Sequence, residues 1–520
     1  MTGGEIVVEC LKKQGVSVVF GIPGTHINFI YAGLYRNQDS ISHILARHEG
    51  GASLMAEGYS RATGEVGVCM TIPGPGVGNA YTGIVEAHTA CSPVLLITGQ
   101  HEPRYANKDY GKMFHGLNHI AAYSPITKLA KHVEKVEEIP EAIDEVFGVL
   151  RSGRPKPVLL EITVNALSAE ADVEIPERND GVKVKATEQQ LRQAINLIVK
   201  SERPFIIAGK GVYHTRASAE LLDFAKLIKA PVATTAMGKG VFSEYEDLSL
   251  GGIGNSTARN AVGESDLVLA IGTRFAQTDT GSWSMEFSQP LIHIEADPEE
   301  INKEYTADLG IAGDAKLVLQ QLINALKGQK LHSGWGDKLA QFKSEVESAE
   351  RPRMIQELRE ILSPDATLVS DVHIAGYPAR THFKVHKPSN FLYSGILGAM
   401  GYGLPPAIGA KVAYPDRQVV AFCGDGGFML SSPEFATAMK HNLKVVAIVV
   451  NDNALGSIKG GQLRNLGGTI GVDLYNPDFV KFAESFGAYG FRVNDLDDFK
   501  PTVEKALTLD APALVEVVRK

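Results

Sequence analysis

The sequence predicts an α/β protein made of three doubly wound parallel-sheet domains, and three observations support this fold class. Short β-branched runs alternate with longer amphipathic segments along the whole chain, which is typical of parallel sheets covered by helices. The 520 residues exceed what one hydrophobic core holds, since a domain has roughly 150 residues. Two polar stretches without periodicity, residues 169–185 and 327–353, act as connections. The predicted domains are therefore residues 1–168, 186–328 and 350–520.

The individual strands are predicted where short, β-branched, apolar runs occur. In the first domain these runs are residues 17–20, 41–45, 67–71, 94–98 and 157–162. In the second domain they are residues 204–208, 232–234, 267–271 and 291–294, and a helix is predicted at 315–326. In the third domain they are residues 367–370, 418–422, 444–450 and 513–518. No short repeat or low-complexity tract interrupts this alternation.

The composition excludes several classes of protein. Hydrophobic residues make up 44% and charged residues 21%, as in ordinary globular proteins. A net charge of −9 argues against nucleic acid or an acidic membrane surface as a partner. No apolar run of about 20 residues predicts a membrane span, and no basic segment before an apolar stretch predicts a secretory leader. The four scattered cysteines have no metal-ligand spacing, so we expect buried thiols in a reducing cytoplasm.

The clearest chemical motif is a glycine-rich turn after the predicted strand 418–422. The turn reads Gly424-Asp425-Gly426-Gly427. Glycines let backbone N–H groups approach a phosphate closely, and the start of the following helix adds a favourable positive potential. For the tripeptide alone, an ordinary tight loop is the alternative interpretation.

Polar side chains at the end of the next strand make a metal site the better interpretation. Asp425 can supply one hard oxygen ligand at its strand tip. The strand 444–450 ends in Asn451-Asp452-Asn453, which can bring a side-chain amide and a backbone carbonyl to the same ion. Mg²⁺ prefers about six oxygen ligands, several of which a phosphate can supply.

In these two motifs the chain resembles the thiamine-diphosphate enzyme family, whose signature is Gly-Asp-Gly followed by an asparagine one strand later. The resemblance implies that Asp425, Asn451 and the carbonyl of Asn453 hold Mg²⁺. It also implies a diphosphate site on the turn formed by Gly424, Gly426 and Gly427.

A third motif, Arg47-His48-Glu49, opens a helix rich in small residues. By itself the triplet is typical of a solvated helix start. The runs 58–64 and 72–79 follow it as they do in the acetolactate synthase branch of the family. The resemblance implies that Glu49 protonates N1′ of the cofactor's aminopyrimidine from an apolar pocket. It further implies cofactor contacts at Pro23, Gly76 and Asn79.

The segment around residue 400 resembles the family's pyrimidine grip. In Gly398-Ala399-Met400, the resemblance implies a carbonyl for the cofactor's 4′-amino group and a bulky side chain that forces a bent cofactor. Because Glu49 and Asp425 lie in different domains, it also implies that one active site takes them from different subunits. We therefore expect a homodimer or homotetramer with active sites at the subunit interface, with a small regulatory subunit as a further possible partner.

The middle domain resembles acetolactate synthase in the runs 208–211 and 272–275, which implies a structural FAD contacted by Arg274. A nucleotide site without its ligand is the alternative. The substrate positions depart from that enzyme: Phe114-His115-Gly116 replaces Phe-Gln-Glu, Thr278 replaces an arginine, and Gly461 replaces a tryptophan. Losing the arginine removes a fixed cation for the carboxylate of a second 2-oxo acid.

The runs 2–5 and 24–30 resemble those of benzaldehyde-lyase-type enzymes, in which a histidine at the place of His26 moves protons, and the run 21–26 also resembles 2-oxo acid decarboxylases. His26 and His115 are both candidate acid–base groups because imidazole titrates near neutral pH. An isolated histidine is more often structural. Lys128 matches a family position near the active-site entrance, and a solvated lysine is the equal alternative.

The sequence therefore predicts an enzyme that depends on thiamine diphosphate and Mg²⁺ and acts on a 2-oxo acid or acyloin. The first candidate is a carboligase resembling acetolactate synthase, in which a decarboxylated donor attacks a second carbonyl. The alternative is a decarboxylase or acyloin lyase with a histidine proton shuttle. A non-catalytic relative is disfavoured because Glu49, Asp425 and Asn451 are present.

Overall fold

The computed structural model describes residues 1–105 and 108–519. It contains three six-stranded parallel sheets whose strands are connected by helices, which confirms the predicted fold class. Local sequence explains several helix boundaries. Thr2 and Glu5 form a capping box at the start of the first helix, and Gly64 ends the third helix in the left-handed conformation that glycine adopts without strain.

The first sheet has the strand order β2-β1-β3-β4-β6-β5. Its strands are β1 (Val18–Gly21), β2 (Ser42–Leu45), β3 (Gly67–Thr71), β4 (Val94–Gln100), β5 (Leu129–Val133) and β6 (Val158–Thr163). The accompanying helices are α1 (Gly3–Lys13), α2 (Asn28–Arg36), α3 (Glu49–Thr63), α4 (Pro75–Thr89), α5 (His119–Tyr123), α6 (Ile139–Arg151) and α7 (Val164–Ser168).

The second sheet has the strand order β12-β11-β10-β7-β8-β9. Its strands are β7 (Pro204–Ala208), β8 (Val232–Thr234), β9 (Ser249–Gly252), β10 (Leu267–Ile271), β11 (Leu291–Glu295) and β12 (Leu309–Ala312). Its helices are α8 (Glu188–Lys200), α9 (Lys210–His214), α10 (Ser218–Ile228), α11 (Ser256–Glu264), α12 (Ala315–Leu326), α13 (Gly336–Ser348), α14 (Arg353–Ile361) and α15 (Tyr377–His382). Helix α12 confirms the helix predicted at 315–326.

The third sheet has the strand order β14-β13-β15-β16-β18-β17. Its strands are β13 (Thr367–Ser370), β14 (Phe391–Tyr393), β15 (Val419–Gly424), β16 (Val445–Asn451), β17 (Tyr489–Val493) and β18 (Ala513–Val518). Its helices are α16 (Leu404–Ala413), α17 (Asp425–Ser431), α18 (Glu434–Lys440), α19 (Gly456–Leu466), α20 (Phe479–Ser485) and α21 (Phe499–Leu507).

The chain forms two compact units. The first consists of Met1–Val182, Thr367–Gly376 and Leu392–Lys520, so the first and third sheets share it, and the second consists of Lys183–Ala366 and Tyr377–Phe391. The three domain ranges predicted from the sequence therefore stay a prediction. Within the first unit, α3 packs against α16 at very short range: a Cβ on Gly58 would lie 2.4 Å from the Cα of Pro406.

One predicted connection contains a helix. Residues 327–353 were expected to be polar connecting chain, but α13 occupies Gly336–Ser348. Trp335 and Phe342 are buried beside it, and the Trp335 indole donates to the carbonyl of Pro204 at 2.9 Å. The high content of charged residues hid an apolar stripe at helical spacing. In the part of the chain that the structure describes, no helix is long and apolar enough to cross a membrane. All four cysteines are buried and free.

Candidate active site

Asp425 and Asn451 lie at the ends of two neighbouring parallel strands. Gly424, the last residue of β15, pairs with Val450 of β16, so the residues that follow each strand meet at one sheet edge. Asp425 begins α17 and is buried. Burial raises the pKa of Asp425, and hydrogen bonds from the Gly426 N–H and a neighbouring amide partly offset that shift.

Three oxygens of this group converge on one nitrogen atom. The Nδ2 of Asn476 lies within hydrogen-bond distance of three oxygens, Asp425 Oδ2 at 2.8 Å, Asn451 Oδ1 at 3.1 Å and Asn453 Oδ1 at 3.3 Å. The amide of Asn451 is oriented from its other end, because its Nδ2 donates to Glu516 at 2.7 Å. One carboxylate and two amide oxygens are the hard donors that Mg²⁺ prefers, so these residues fit a magnesium ion.

Asn453 faces this group with its side chain. Its carbonyl, which the family resemblance assigns to the metal, accepts the N–H of Leu474 at 2.8 Å. Its backbone is left-handed, with φ of 51°, an uncommon conformation that asparagine adopts more readily than most residues. Asn476 was not predicted from sequence; its only signal was its place in a polar loop between α19 and α20.

The proposed pyrimidine segment lies next to the glycine-rich turn. A Cβ on Gly426 would be 3.6 Å from Cε of Met400. The loop around Met400 is held by Asp371 at the end of β13, which accepts the N–H of Gly401 at 3.1 Å. Gly398 has a φ of 70°, a conformation that favours glycine. Met400, Gly426 and Asp425 thus belong to one neighbourhood of the third sheet.

Glu49 is the first residue of α3 and contacts the first turn of α4. Its Oε2 accepts Nδ2 of Asn79 at 2.9 Å. A Cβ on Gly76 would lie 3.5 Å from its Oε1. The fold therefore brings together three residues that the sequence proposed for the site, and their roles stay a prediction. Pro23 is exposed in the loop after β1.

The segment before Glu49 is clamped by a residue of the third sheet's domain. Glu434 on α18 accepts the N–H of Arg47 and the N–H of His48, at distances between 3.0 and 3.2 Å. Burial raises the pKa of Glu434, while its hydrogen bonds with Thr437 and these amides act in the opposite direction. The carboxylate satisfies N–H groups at the start of α3 that have no partner inside the helix.

Three imidazoles meet near the end of β4. The ring of His26 lies 5.4 Å from that of His115 and 5.1 Å from that of His101. Burial, followed by the neighbouring rings of His101 and His115, lowers the pKa of His26 to about 4. Over residues 1–105 and 108–519, the buried Nδ1 atoms of His26 and His115 have no hydrogen-bond partner. His101 was missed from sequence, although it follows directly on a strand's carboxyl end.

Within one chain the candidate residues form two groups. One contains Glu49 and the three imidazoles, and the other contains Asp425 and its asparagine neighbours. Among the described residues, no hydrogen bond joins Glu49 or the three imidazoles to Asp425 or its asparagine neighbours. Lys128, a candidate for the active-site entrance, instead donates to the carbonyls of Val149, Ser152 and Arg154 at the end of α6.

The second sheet reverses its strand order between β7 and β10, which is where open α/β sheets bind ligands. Glycines line this crevice: a Cβ on Gly211 would lie 2.6 Å from Cα of Gly272, whose φ is 64°. Arg274 follows, near Asp279, whose pKa burial raises to about 6. In the described part of the chain, the buried Oγ1 of Thr234 has no hydrogen-bond partner.

Comparison with known proteins finds three matching family descriptions in succession. Residues 1–122 match "Thiamine pyrophosphate enzyme, N-terminal TPP binding domain", residues 191–322 match the central domain, and residues 375–517 match the C-terminal TPP binding domain of the same enzymes.

Individual relatives extend over nearly the whole chain. A probable acetolactate synthase large subunit from Methanocaldococcus jannaschii is 36% identical over all of this chain and 92% of its own length. The acetolactate synthase large subunit of Corynebacterium glutamicum is 33% identical over all of this chain and 87% of its own length. The large subunit from Buchnera aphidicola subsp. Schizaphis graminum is 32% identical over 98% of this chain and 92% of its own length.

Proposed function

The chain belongs to the thiamine pyrophosphate enzyme family, and from that premise we propose that it is a carboligase of the acetolactate synthase type. Its substrates are 2-oxo acids, and it requires thiamine diphosphate and Mg²⁺. The observation that carries the proposal is the cluster of side-chain oxygens from Asp425, Asn451 and Asn453 around one atom, Nδ2 of Asn476, where a Mg²⁺ ion could be held. Relatives named acetolactate synthase over the full chain support the reaction class.

Different residues of the chain would bind the metal, bind the diphosphate and hold the activating proton. Asp425, Asn451 and Asn453 would hold Mg²⁺, and the turn at Gly424, Gly426 and Gly427 would bind the diphosphate through N–H groups. Thiamine diphosphate supplies, when bound, a nucleophilic carbon and an electron sink for decarboxylation. Glu49 holds the activating proton on Oε1, because its Oε2 already accepts a hydrogen bond from Asn79.

A second candidate function is favoured by the three imidazoles. A decarboxylase or acyloin lyase must deliver a proton to, or take one from, a substrate oxygen or carbon. His26 and His115 each have a buried Nδ1 without a partner over the described residues, so both nitrogens can exchange a proton with a substrate.

The crevice of the second sheet supports a FAD site. Gly211 and Gly272 let the two loops at this point of the sheet pack closely, and Arg274 follows there with a positive charge. Thr234 has a buried hydroxyl free to hydrogen bond there, over the residues described. We expect flavin absorbance in purified protein, or tight uptake of added FAD. The absence of both would reject this part of the proposal.

The proposed assembly is a homodimer or homotetramer, because Glu49 and Asp425 belong to separate groups within one chain. The proposed location is the cytoplasm. A small regulatory subunit is a further proposed partner, since the relatives are named large subunits. Light scattering of the purified chain, alone and with a candidate small subunit, tests both statements.

The deciding experiment is product identification. Purified enzyme is supplied with thiamine diphosphate, Mg²⁺ and pyruvate, with and without FAD, and the products are identified by NMR. Acetolactate supports the carboligase. Acetaldehyde alone supports the decarboxylase, and untouched pyruvate directs the search to larger 2-oxo acids and acyloins.

A further inference from the structure

A buried hydrogen-bonded chain lies beneath the loops of the proposed active site. Glu161 on β6 and His119 at the start of α5 are both buried. Nδ1 of His119 is hydrogen bonded to Glu161 Oε2, and Nδ1 of His132 lies 2.6 Å from Oε1 of the same carboxylate. Gln100 also donates to Oε2 of Glu161, at 2.9 Å. One buried carboxylate therefore holds two imidazoles, of which only His132 reaches the surface.

The other end of His119 fixes its protonation. The N–H of Gly74 donates to Nε2 of His119 at 2.9 Å. A ring nitrogen that accepts a hydrogen bond carries no proton, so the proton of His119 is on Nδ1 and points at Glu161. The imidazole is therefore a bridge with one defined donor direction: the Gly74 N–H donates to the ring, and the ring donates to the Glu161 carboxylate.

Glu161 supplies this bridge with a negative charge. Burial acts to raise the pKa of Glu161, but hydrogen bonds from His119 and His132 outweigh it and lower the pKa below its ordinary value. The carboxylate is therefore ionised at neutral pH, and hydrogen bonds to an ionised acceptor are the stronger kind. Burying a charge is costly for stability, so the arrangement calls for an explanation beyond packing.

Gly74 connects the bridge to two candidate catalytic residues of the first domain, His115 and Glu49. Its φ of 65° favours glycine, and a Cβ there would lie 2.7 Å from the carbonyl oxygen of His115. Gly74 also caps α4, whose first turn contacts Glu49 through Asn79 at 2.9 Å. Moving Gly74 would thus displace Glu49's partner and the backbone of His115 together.

We propose that Glu161 and His119 are positioning residues, which fix Gly74 and through it hold Glu49 and His115 in register. The proposal rests on the proposed function for the roles of Glu49 and His115. The positioning itself does not depend on a bound cofactor, because every contact in the bridge is within the protein.

Two substitutions of His119 separate the two ends of the bridge. A glutamine amide reaches the place of Nε2 and can still accept the Gly74 N–H. An asparagine amide reaches the place of Nδ1 and keeps only Glu161. We expect His119→Asn, which loses Gly74, to increase hydrogen–deuterium exchange about tenfold over residues 71–79 and 114–118, whereas His119→Gln, which keeps Gly74 but loses Glu161, should increase it by about threefold. Thiamine diphosphate affinity, by calorimetry with Mg²⁺, should fall about tenfold or more in His119→Asn and less in His119→Gln.

The matched control is His132→Gln, which removes the half-exposed partner of Glu161 and should leave exchange over 71–79 unchanged. If His119→Asn does not fold, Glu161→Gln takes its place, with faster exchange expected over the same residues. Equal exchange in His119→Asn and His119→Gln would overturn the proposal. A wild-type protein that binds no thiamine diphosphate would contradict the proposed function, whereas the exchange data would still decide the positioning role.

Discussion

At the scale of single residues, the activating role of Glu49 gives the sharpest kinetic expectation. Glu49→Gln keeps the side chain's shape and its contact with Asn79, but cannot hold the activating proton. We expect turnover to fall at least about 100-fold, since a positioned acid or base contributes that much. Calorimetry should show thiamine diphosphate still bound. Wild-type turnover by this variant would remove Glu49 as the activating group.

Asp425 is the charged member of the proposed metal site, so its loss should affect metal and cofactor together. We expect Asp425→Ala to lose tight Mg²⁺ binding and, with it, thiamine diphosphate binding, both measured by calorimetry. The control is Asp473→Ala, which removes an exposed aspartate of the same domain that pairs with Lys459. If Asp425→Ala bound both ligands as wild type does, the metal assignment would be wrong.

His43 gives an expectation about pH. Burial, with a nearby His441, lowers the pKa of His43 to about 4 from its ordinary 6.5. The unfolded chain then takes up the proton more readily, so this group lowers stability as pH falls from 6.5 towards 4. His43→Gln should flatten the pH dependence of the free energy of unfolding by up to about 1 kcal/mol per pH unit. Urea titrations should show no flattening for the exposed His332→Gln.

Whether a candidate site residue could be predicted from the sequence depends on how the fold positions it. Asp425 and Asn451 directly follow buried strands, and parallel strands bring their carboxyl ends to one edge whatever the loops do. Asn476 lies 25 residues after Asn451 in a loop, and its contact with Asp425 depends on how that loop folds back. His119 and Glu161 meet only because α5 packs against β5 and β6, so no local pattern could pair them.

At the scale of elements, all five strands that the sequence did not predict lie at sheet edges: β5, β9, β12, β14 and β17. An edge strand exposed on one side lacks the continuous apolar run that identifies a central parallel strand, and β14, which is buried, has only three residues. The sequence of β5, Leu-Ala-Lys-His-Val, shows this directly, with one fully buried residue among five. Central strands could be predicted because burial on both faces dictates their composition.

The packing of α3 against α16 contains a buried charge network that can be tested. Arg61 donates to Tyr402 at 2.7 Å and to the carbonyl of Tyr393 at 2.8 Å, and Tyr402 donates to Glu57 at 2.8 Å. Arg61→Ala leaves Glu57 buried without its cation, so we expect a loss of about 3 kcal/mol in the free energy of unfolding. In contrast, Arg192→Ala on the exposed face of α8 should change it by less than about 0.5 kcal/mol. A small loss for Arg61→Ala would mean that water replaces the cation.

At the scale of the whole molecule, the sequence indicated three α/β domains but not how they associate. The first and third sheets share one compact unit because α3 and α16 approach through glycines, a contact between residues some 350 positions apart in the chain. Even so, this unit keeps Glu49 and Asp425 in separate groups. The proposed dimer, in which one site takes Glu49 and Asp425 from different chains, is a testable explanation of this separation.

This arrangement predicts complementation between two inactive variants. When Glu49→Gln and Asp425→Ala chains form a mixed dimer, one site receives both defects and the other receives an intact Glu49 and an intact Asp425. Random association should restore about one quarter of wild-type activity, since half of the dimers are mixed and each has one intact site. The control is a chain carrying both substitutions, mixed with itself, which should stay inactive. Isolated mixed dimers without activity would mean that each chain completes its own site, and the separation of the two groups would then have to close by movement within one chain.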